Sequence, residues 1–341
     1  MTAHKTEARR GGMFLRLALL AAFAVASALL GIAVGPVHLT LPQVVSGVLH
    51  PAGRNVTDII VGALREPRVV CTVLVGAALG VSGAVVQSVF RNPMADPGII
   101  GVSAGGSLGA VIAFAAGWNI INPYTLPASA FAGAACAVFA VYALSTRRGR
   151  TSLIGLLLAG MIISSMIVSA LSLILSFTNN SELRSIMFWL MGGFNGDGWT
   201  QVRILAPPVM AGFAILSGFA KELDLLATGE EHAHSSGVSV EWAKRILIAL
   251  AALMTGASVA VSGTIAFIGL LVPHAARRIV GPRHRWLLPA SALLGAGLLT
   301  LADVLARSVS SQYELQVGIV TSFLGGPFFL FLLLRVERRW T

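Results

Sequence analysis

Residues 76–101 read GAALGVSGAVVQSVFRNPMADPGIIG, and residues 256–281 read GASVAVSGTIAFIGLLVPHAARRIVG. At a constant offset of 180 residues, nine of the 26 positions are identical: Gly76/Gly256, Ala77/Ala257, Val81/Val261, Ser82/Ser262, Gly83/Gly263, Pro93/Pro273, Ala95/Ala275, Ile99/Ile279 and Gly101/Gly281. Most other positions exchange one apolar or small residue for another. Each copy reads as an apolar run that breaks at a proline and leads into a basic or polar loop. A duplicated, proline-interrupted hydrophobic unit points to a transporter.

Composition sets the solvent. The chain has 341 residues, 56% of them hydrophobic and 11% charged, and its mean hydropathy is +0.83. Soluble domains carry about 25% charged residues, so this chain cannot cover itself with a polar surface and reads as an all-α polytopic membrane protein. The net charge of +10 raises nucleic acid as a partner in a soluble protein. Here the basic residues sit in short loops between apolar runs, where orientation in the bilayer accounts for them. Cys71 and Cys136 lie inside apolar runs with no CxxC or Cys/His cluster; they read as small buried hydrophobes, with no disulfide and no metal site. Arg9, Arg10 and Arg16 precede an apolar run at 17–34, longer than the roughly 7–15 residues of a signal-peptide core, so that run reads as an uncleaved first span.

A helix needs about 20 apolar residues to cross the hydrocarbon core. Such runs lie near 14–35, 67–90, 98–117, 124–145, 152–176, 202–220, 243–266, 268–280, 286–308 and 317–335, which predicts ten transmembrane helices. The eighth is too short to cross alone and contains Pro273, so a half-helix or tilted helix buried in protein is expected. With the N-terminus inside, the inner segments hold 18 of the 24 Lys and Arg residues. Arg54, Arg65, Arg68, Arg184, Arg203 and Arg307 remain for the outer side and the membrane. This positive-inside bias predicts that both termini are cytoplasmic. Five spans then separate the starts of the two copies, so the copies have opposite topology. The chain reads as one permease domain, 1–341, with inverted five-helix repeats at about 14–177 and 200–335. The small residues of GAALGVSG and GASVAVSG suit close helix–helix approach.

The longest polar inner segment is KELDLLATGEEHAHSSGVSVEWAKR, Lys221–Arg245. Short helical stretches are expected around Glu222–Leu226 and Ser239–Lys244, joined by a polar turn with Gly229 and Gly237. Thr228 with Glu231 reads as a capping box. Reversing chain direction does not need 25 residues, so the segment reads as a docking element for a cytoplasmic partner.

Several strings together resemble the permease subunits of FecCD-type ATP-binding-cassette importers, the iron-siderophore, haem and cobalamin uptake family. They are REPR at 65–68, the first repeat extended to 110, FWLMGGFNG at 188–196, GEEHAHSSGVSV at 229–240, VSGTIAFIGLLVPHAARRIVG at 261–281, ADVLAR at 302–307 and ELQVGIVTSFLGGPFFLFLLLR at 314–335. The resemblance implies a ten-span bacterial inner-membrane protein, paired as a homodimer or with a similar permease. It implies two cytoplasmic ATPase subunits that hold ATP and Mg²⁺, and a periplasmic or lipid-anchored binding protein. It also implies a ferric siderophore as first-ranked ligand, with haem and cobalamin as alternatives. The coupling element maps onto the loop 221–240, at Leu225, Leu226, Thr228, Gly229, Glu230, Glu231, His232, Ala233 and Gly237. Binding-protein docking maps onto Arg65, Arg68 and Arg307, whose planar guanidinium suits carboxylates. The chain has no GxxxxGK[ST] phosphate loop and is expected to be no enzyme, with no cofactor of its own.

Other polar residues in the spans are expected to do structural work. Asp303 precedes Arg307 by one helical turn and reads as its partner. Gln87 and Asn92 either hydrogen-bond between helices or line the path. His274 reads as a helix-end cap. For the path, span five offers Ile162, Ser165, Met166, Ser169 and Ser172, and Gln87 is a further candidate. The reading from another class is an ion-coupled secondary transporter. It needs ionisable residues at mid-membrane, and Asp303, near an outer end, is the one acid found within a span. A membrane enzyme needs clustered His, Asp or Glu at one depth, and no such cluster is found.

Overall fold

The computed structural model describes residues 2–37, 39–49, 55–309 and 314–337. Arg54 and the last residues of the basic tail lie outside the described residues. The chain is almost entirely helical: α1 Thr2–Ala33, α2 Leu41–Leu49, α3 Val56–Ile59, α4 Glu66–Val89, α5 Val102–Ala115, α6 Thr125–Ser145, α7 Leu153–Ser176, α8 Asn180–Leu190, α9 Trp199–Gly218, α10 Ala220–Thr228, α11 Glu230–Ser235, α12 Val240–Ser262, α13 Ile268–Val280, α14 His284–Ser308 and α15 Val317–Glu337. A wider helical turn at Ile60–Arg65 joins α3 to α4. A two-residue hairpin, β1 Thr146–Arg147 and β2 Arg150–Thr151, connects α6 to α7.

Helix occupies each of the ten apolar runs, so this is a multi-pass membrane protein. Among the described residues seven helices are long and apolar enough to cross a bilayer, and α5 and α15 offer shorter apolar stretches. The 13 residues of α13 rise only about 20 Å, as its short apolar run predicts.

Helix α4 is the axis of the packing. Within its most apolar window 78% of residues are buried, against 11% in α1 and 17% in α7. Lipid offers helices no hydrophobic reason to associate, so close backbone approach must do the work. The glycines of the first repeat copy supply it. A Cβ on Gly76 would lie 2.3 Å from the Gly295 carbonyl oxygen, and one on Gly83 would lie 1.7 Å from that of Gly269. The α4 face thus sits directly against the backbones of α14 and α13, and Thr72 and Thr300 pair their hydroxyls at 2.9 Å across the same seam.

The two copies of the repeat diverge where their sequences still match. The first copy breaks at its proline, since Pro93 lies in the turn after α4. The second breaks ten residues before its proline. Gly263, at φ +66°, ends α12 early; Phe267, at φ +68°, opens α13, and Pro273 falls inside that helix. The constant offset therefore pairs a loop with a helix beyond Gly83/Gly263. Packing partners correspond better than positions do: α4 packs on α13 and α14, while α12 packs on α5 and α6.

Candidate functional site

Helices α4 and α14 run antiparallel, so each end of the pair gathers residues distant in sequence. At one end stand Arg65, Arg68 and Arg307. None is open to solvent: they are 5%, 9% and 4% exposed. Arg65 donates to the carbonyls of Ile32 and Ala33 at 2.8 Å and also to that of Val37. Arg307 donates to Gly31 at 3.1 Å and Val34 at 3.0 Å. The last-turn carbonyls of α1 lack intrahelical donors, and two guanidiniums supply them. Arg68 meets Asp303 at 2.9 Å, Glu314 at 2.9 Å and Asn195 at 3.1 Å. Asp303, fully buried, also lies 3.0 Å from the Arg307 Nε, the partnership its spacing predicts. Surface arginines ready for a docking partner were expected; buried arginines that clamp α1, α4 and α14 are found. Among the described residues, the exposed cations on the corresponding segments are Arg184 and Arg203.

Between this cluster and α8 opens a cavity of about 350 Å³ whose mixed lining includes Asn119, Ser185, Asn195, Asp197, Gln201 and Gln316 alongside Phe114, Leu126 and Trp189. Asp197 is among the lining residues and interacts with Arg68, Asp303 and Cys71. Burial pushes its carboxyl up to about 8, Arg68 opposing and Asp303 reinforcing the shift, with the Cys71 contact opposing it.

At the other end stands the segment α10–α11. It is more ordered than a polar turn. Gly229, at φ +133°, turns the chain between the two helices, and α11 closes with Val238 N–H on Ala233 C=O at 3.0 Å and Gly237 N–H on His234 C=O at 3.0 Å. That is the Schellman pattern, and its left-handed position is filled by Gly237. The expected capping box is absent: Gly229 is the N-cap of α11, and the Thr228 hydroxyl donates to Leu225 C=O instead. The expected helix at Ser239–Lys244 is the first turn of α12. Leu226 and Ala233 point into the protein and Leu225 is half-buried, while Thr228, Glu231, His232 and Gly237 are exposed. Gly229 and Glu230 are half-buried between them.

Two polar anchors hold this segment, and neither is visible in the linear sequence. Lys244, 1% exposed, bridges Glu230 at 3.2 Å and Glu241 at 2.7 Å and donates to Thr151 C=O at 3.0 Å. It ties α11, α12 and the hairpin together. Asp224 on α10 accepts from the His284 backbone at 2.8 Å and meets its ring Nδ1 at 2.6 Å; the Nε2 lies 2.5 Å from the Ser88 hydroxyl. This array ties α10 to the N-terminus of α14 and the end of α4. Burial favours a neutral Asp224, but the two His284 bonds and the charges of His284 and Arg283 outweigh it and hold the carboxyl below its ordinary range. The partners lie 60 and 196 residues apart, which explains why a linear reading misses them.

The remaining expectations divide. Gln87 is 2% exposed; it donates to Leu270 C=O at 3.1 Å and accepts from Arg277, so it links α4 to α13 and lines no open path. Asn92 shapes the turn after α4 by accepting from Met94 N–H at 2.9 Å. His274 caps nothing: it lies inside α13 with its ring edge toward Phe328. Ile162, Ser165, Met166, Ser169 and Ser172 all lie exposed along one face of α7.

Residues 21–335 match the family described as the FecCD transport family. The chain is 46% identical over 276 residues to a cobalamin import system permease of Halobacterium salinarum, covering 81% of this chain and 73% of the relative. It is 41% identical to a hemin transport system permease of Yersinia pestis, covering 80% and 82%, and 35% identical to an iron(3+)-hydroxamate import permease of Bacillus subtilis, covering 82% and 85%. A solved structure described as an inward-facing conformation of a metal-chelate type ABC transporter superposes with a TM-score of 0.84 at 31% identity, over 94% of this chain and 98% of that one.

Proposed function

The chain belongs to the FecCD transport family, and from that premise we propose that it is the permease subunit of a binding-protein-dependent ATP-binding-cassette importer for a metal chelate. It is a transport subunit rather than a catalytic enzyme. The observation that carries the finer reading is the α10–α11 segment. Its exposed face is polar, and its buried side is fixed by Asp224–His284–Ser88 and Glu230–Lys244–Thr151. A segment fixed so firmly can transmit force from a cytoplasmic ATPase to α4, α12 and α14. In this reading ATP and Mg²⁺ act on two partner ATPase subunits, and this end of the bundle faces the cytoplasm with both termini.

The opposite end faces the binding protein. Arg65, Arg68 and Arg307 support docking there by holding the helix ends in place, and the exposed Arg184 and Arg203 are available for direct contact. Ten spans in two inverted halves account for the corresponding packing of α4 and α12. Two copies placed with their α7 faces inward enclose a path lined by Ile162, Ser165, Met166, Ser169 and Ser172.

For the ligand, family frequency places a ferric siderophore first. The 46% and 41% identities to cobalamin and hemin permeases support a tetrapyrrole as the second reading. Proteoliposomes holding the chain with its ATPase and binding protein test the proposal. Uptake should require ATP, and replacing Glu230–Gly237 should leave binding-protein docking intact while abolishing uptake and stimulated ATP hydrolysis. Uptake driven by an ion gradient without the ATPase overturns it. Competition among a siderophore, haem and cobalamin ranks the ligands.

A further inference from the structure

We infer that the groove between α6 and α12 is a binding site for an anionic phospholipid, with one acyl chain in the groove and the phosphate on arginines at its mouth. The groove has a volume of about 400 Å³ and is walled by Phe131, Val138 and Tyr142 of α6 and Ile248, Ala252 and Gly256 of α12, with Arg245 closing one end. That volume falls within the roughly 300–1,000 Å³ of small-molecule sites. Both helices are long and apolar enough to span a bilayer, so a groove open on their outer flank meets lipid.

Length and charge identify the occupant. From Arg245 to Gly256 the α12 wall rises about 16 Å, close to half of the roughly 30 Å hydrocarbon core. The groove is therefore one leaflet deep, begins at the headgroup level and ends near the bilayer centre, as a single acyl chain does. At its mouth Arg245 donates to Gly149 C=O at 3.2 Å, which brings the exposed Arg147, Arg148 and Arg150 of the hairpin beside it. Two carboxylates lie nearby: Glu230 and Glu241 share Lys244, and Glu241 also accepts from Thr151 N–H of the hairpin. Among the described residues no ion pair engages any of the four arginines. Four arginines without ion pairs outweigh the one excess carboxylate of the Glu230–Lys244–Glu241 group, and a net positive mouth above a one-leaflet apolar slot selects a negatively charged headgroup over a zwitterionic one. The bound lipid would brace the hairpin that Lys244 ties to α11, beside the segment proposed to couple to the ATPase.

The test is native mass spectrometry of the purified full chain offered equal phosphatidylglycerol and phosphatidylcholine. One phosphatidylglycerol per chain should be retained preferentially, a comparison that needs no variant. Arg245→Gln and Arg148→Gln should each weaken retention roughly fivefold, and Ala252→Phe, which fills the slot, should abolish it. Equal retention of the two lipids overturns the inference, as does retention unchanged by all three substitutions. Displacement of the lipid by glycerol phosphate alone would show a plain anion site and overturns it too. So does chemical cross-linking of one copy to another through Phe139→Cys, since a second chain would then cover the groove.

Discussion

At the scale of single residues, the chain concentrates its buried charge where helices end. Asp303 is shared by Arg68 and Arg307, and Glu314 offsets the second cation. Removing one partner from such a cluster leaves an uncompensated buried charge, at a cost of about 3–5 kcal/mol. Asp303→Asn should therefore lower the thermal midpoint of the detergent-purified chain severely. The double variant Asp303→Asn with Arg307→Gln should lose less than the sum of its two singles, because the substitutions share an interaction. Additive losses would show that the two side chains do not work as a pair. Asp197 gives a second residue-scale expectation. Its carboxyl is raised to about 8, so between roughly pH 4 and 8 the folded chain holds a proton that the unfolded chain has released. That contribution is full below pH 4 and is lost as pH rises toward 8. Asp197→Asn should flatten the fall in stability over this window, as read from melting curves at several pH values. An unchanged slope would mean that this carboxylate ionises normally.

At the scale of elements, the repeat was legible in sequence but its parts do different work. Gly83 and Gly263 occupy matched positions, yet Gly83 lets α13 touch α4 while Gly263 ends α12. Apolar runs revealed the helices, because length and hydropathy are local properties. The early stop of α12 was hidden because Gly-Thr-Ile-Ala-Phe is as apolar as the helix before it, and its positive-φ Phe267 has no composition signal. The helix α11 was hidden because its support is a tertiary anchor, Lys244 to Glu230, rather than hydrophobic periodicity. Likewise the arginines stood out in the sequence, but their burial did not, since the α1 carbonyls they satisfy lie 32 and 33 residues from Arg65 and 276 residues from Arg307. The close α4–α13 seam makes a sharp prediction. Gly83→Ala forces a methyl into the Gly269 carbonyl and should cost about 1–3 kcal/mol or more. Gly218→Ala, with open space around it, should be neutral or slightly stabilising. Equal melting temperatures for the two variants would contradict the seam.

At the scale of the whole molecule, the bare face of α7 is where a second copy and a transport path would meet. Its most apolar window is only 17% buried, so a single copy leaves it to lipid, to water or to a second chain. The serines on it do not decide. Ser169 and Ser172 donate to the carbonyls of Ser165 and Val168, and a hydroxyl satisfied within its own helix is tolerated in hydrocarbon as readily as in water. The medium decides instead. If two copies enclose a path along α7, Ser169→Cys in a chain lacking Cys71 and Cys136 should react with a membrane-impermeant maleimide. Phe139→Cys, on the lipid-facing flank of α6, should not. The labelling should also change when ATP and the partner ATPase are supplied, because a transport path must open to each side in turn while a lipid-facing helix need not. Equal protection of both cysteines in every state would place α7 in lipid and remove the path from this face of the protein.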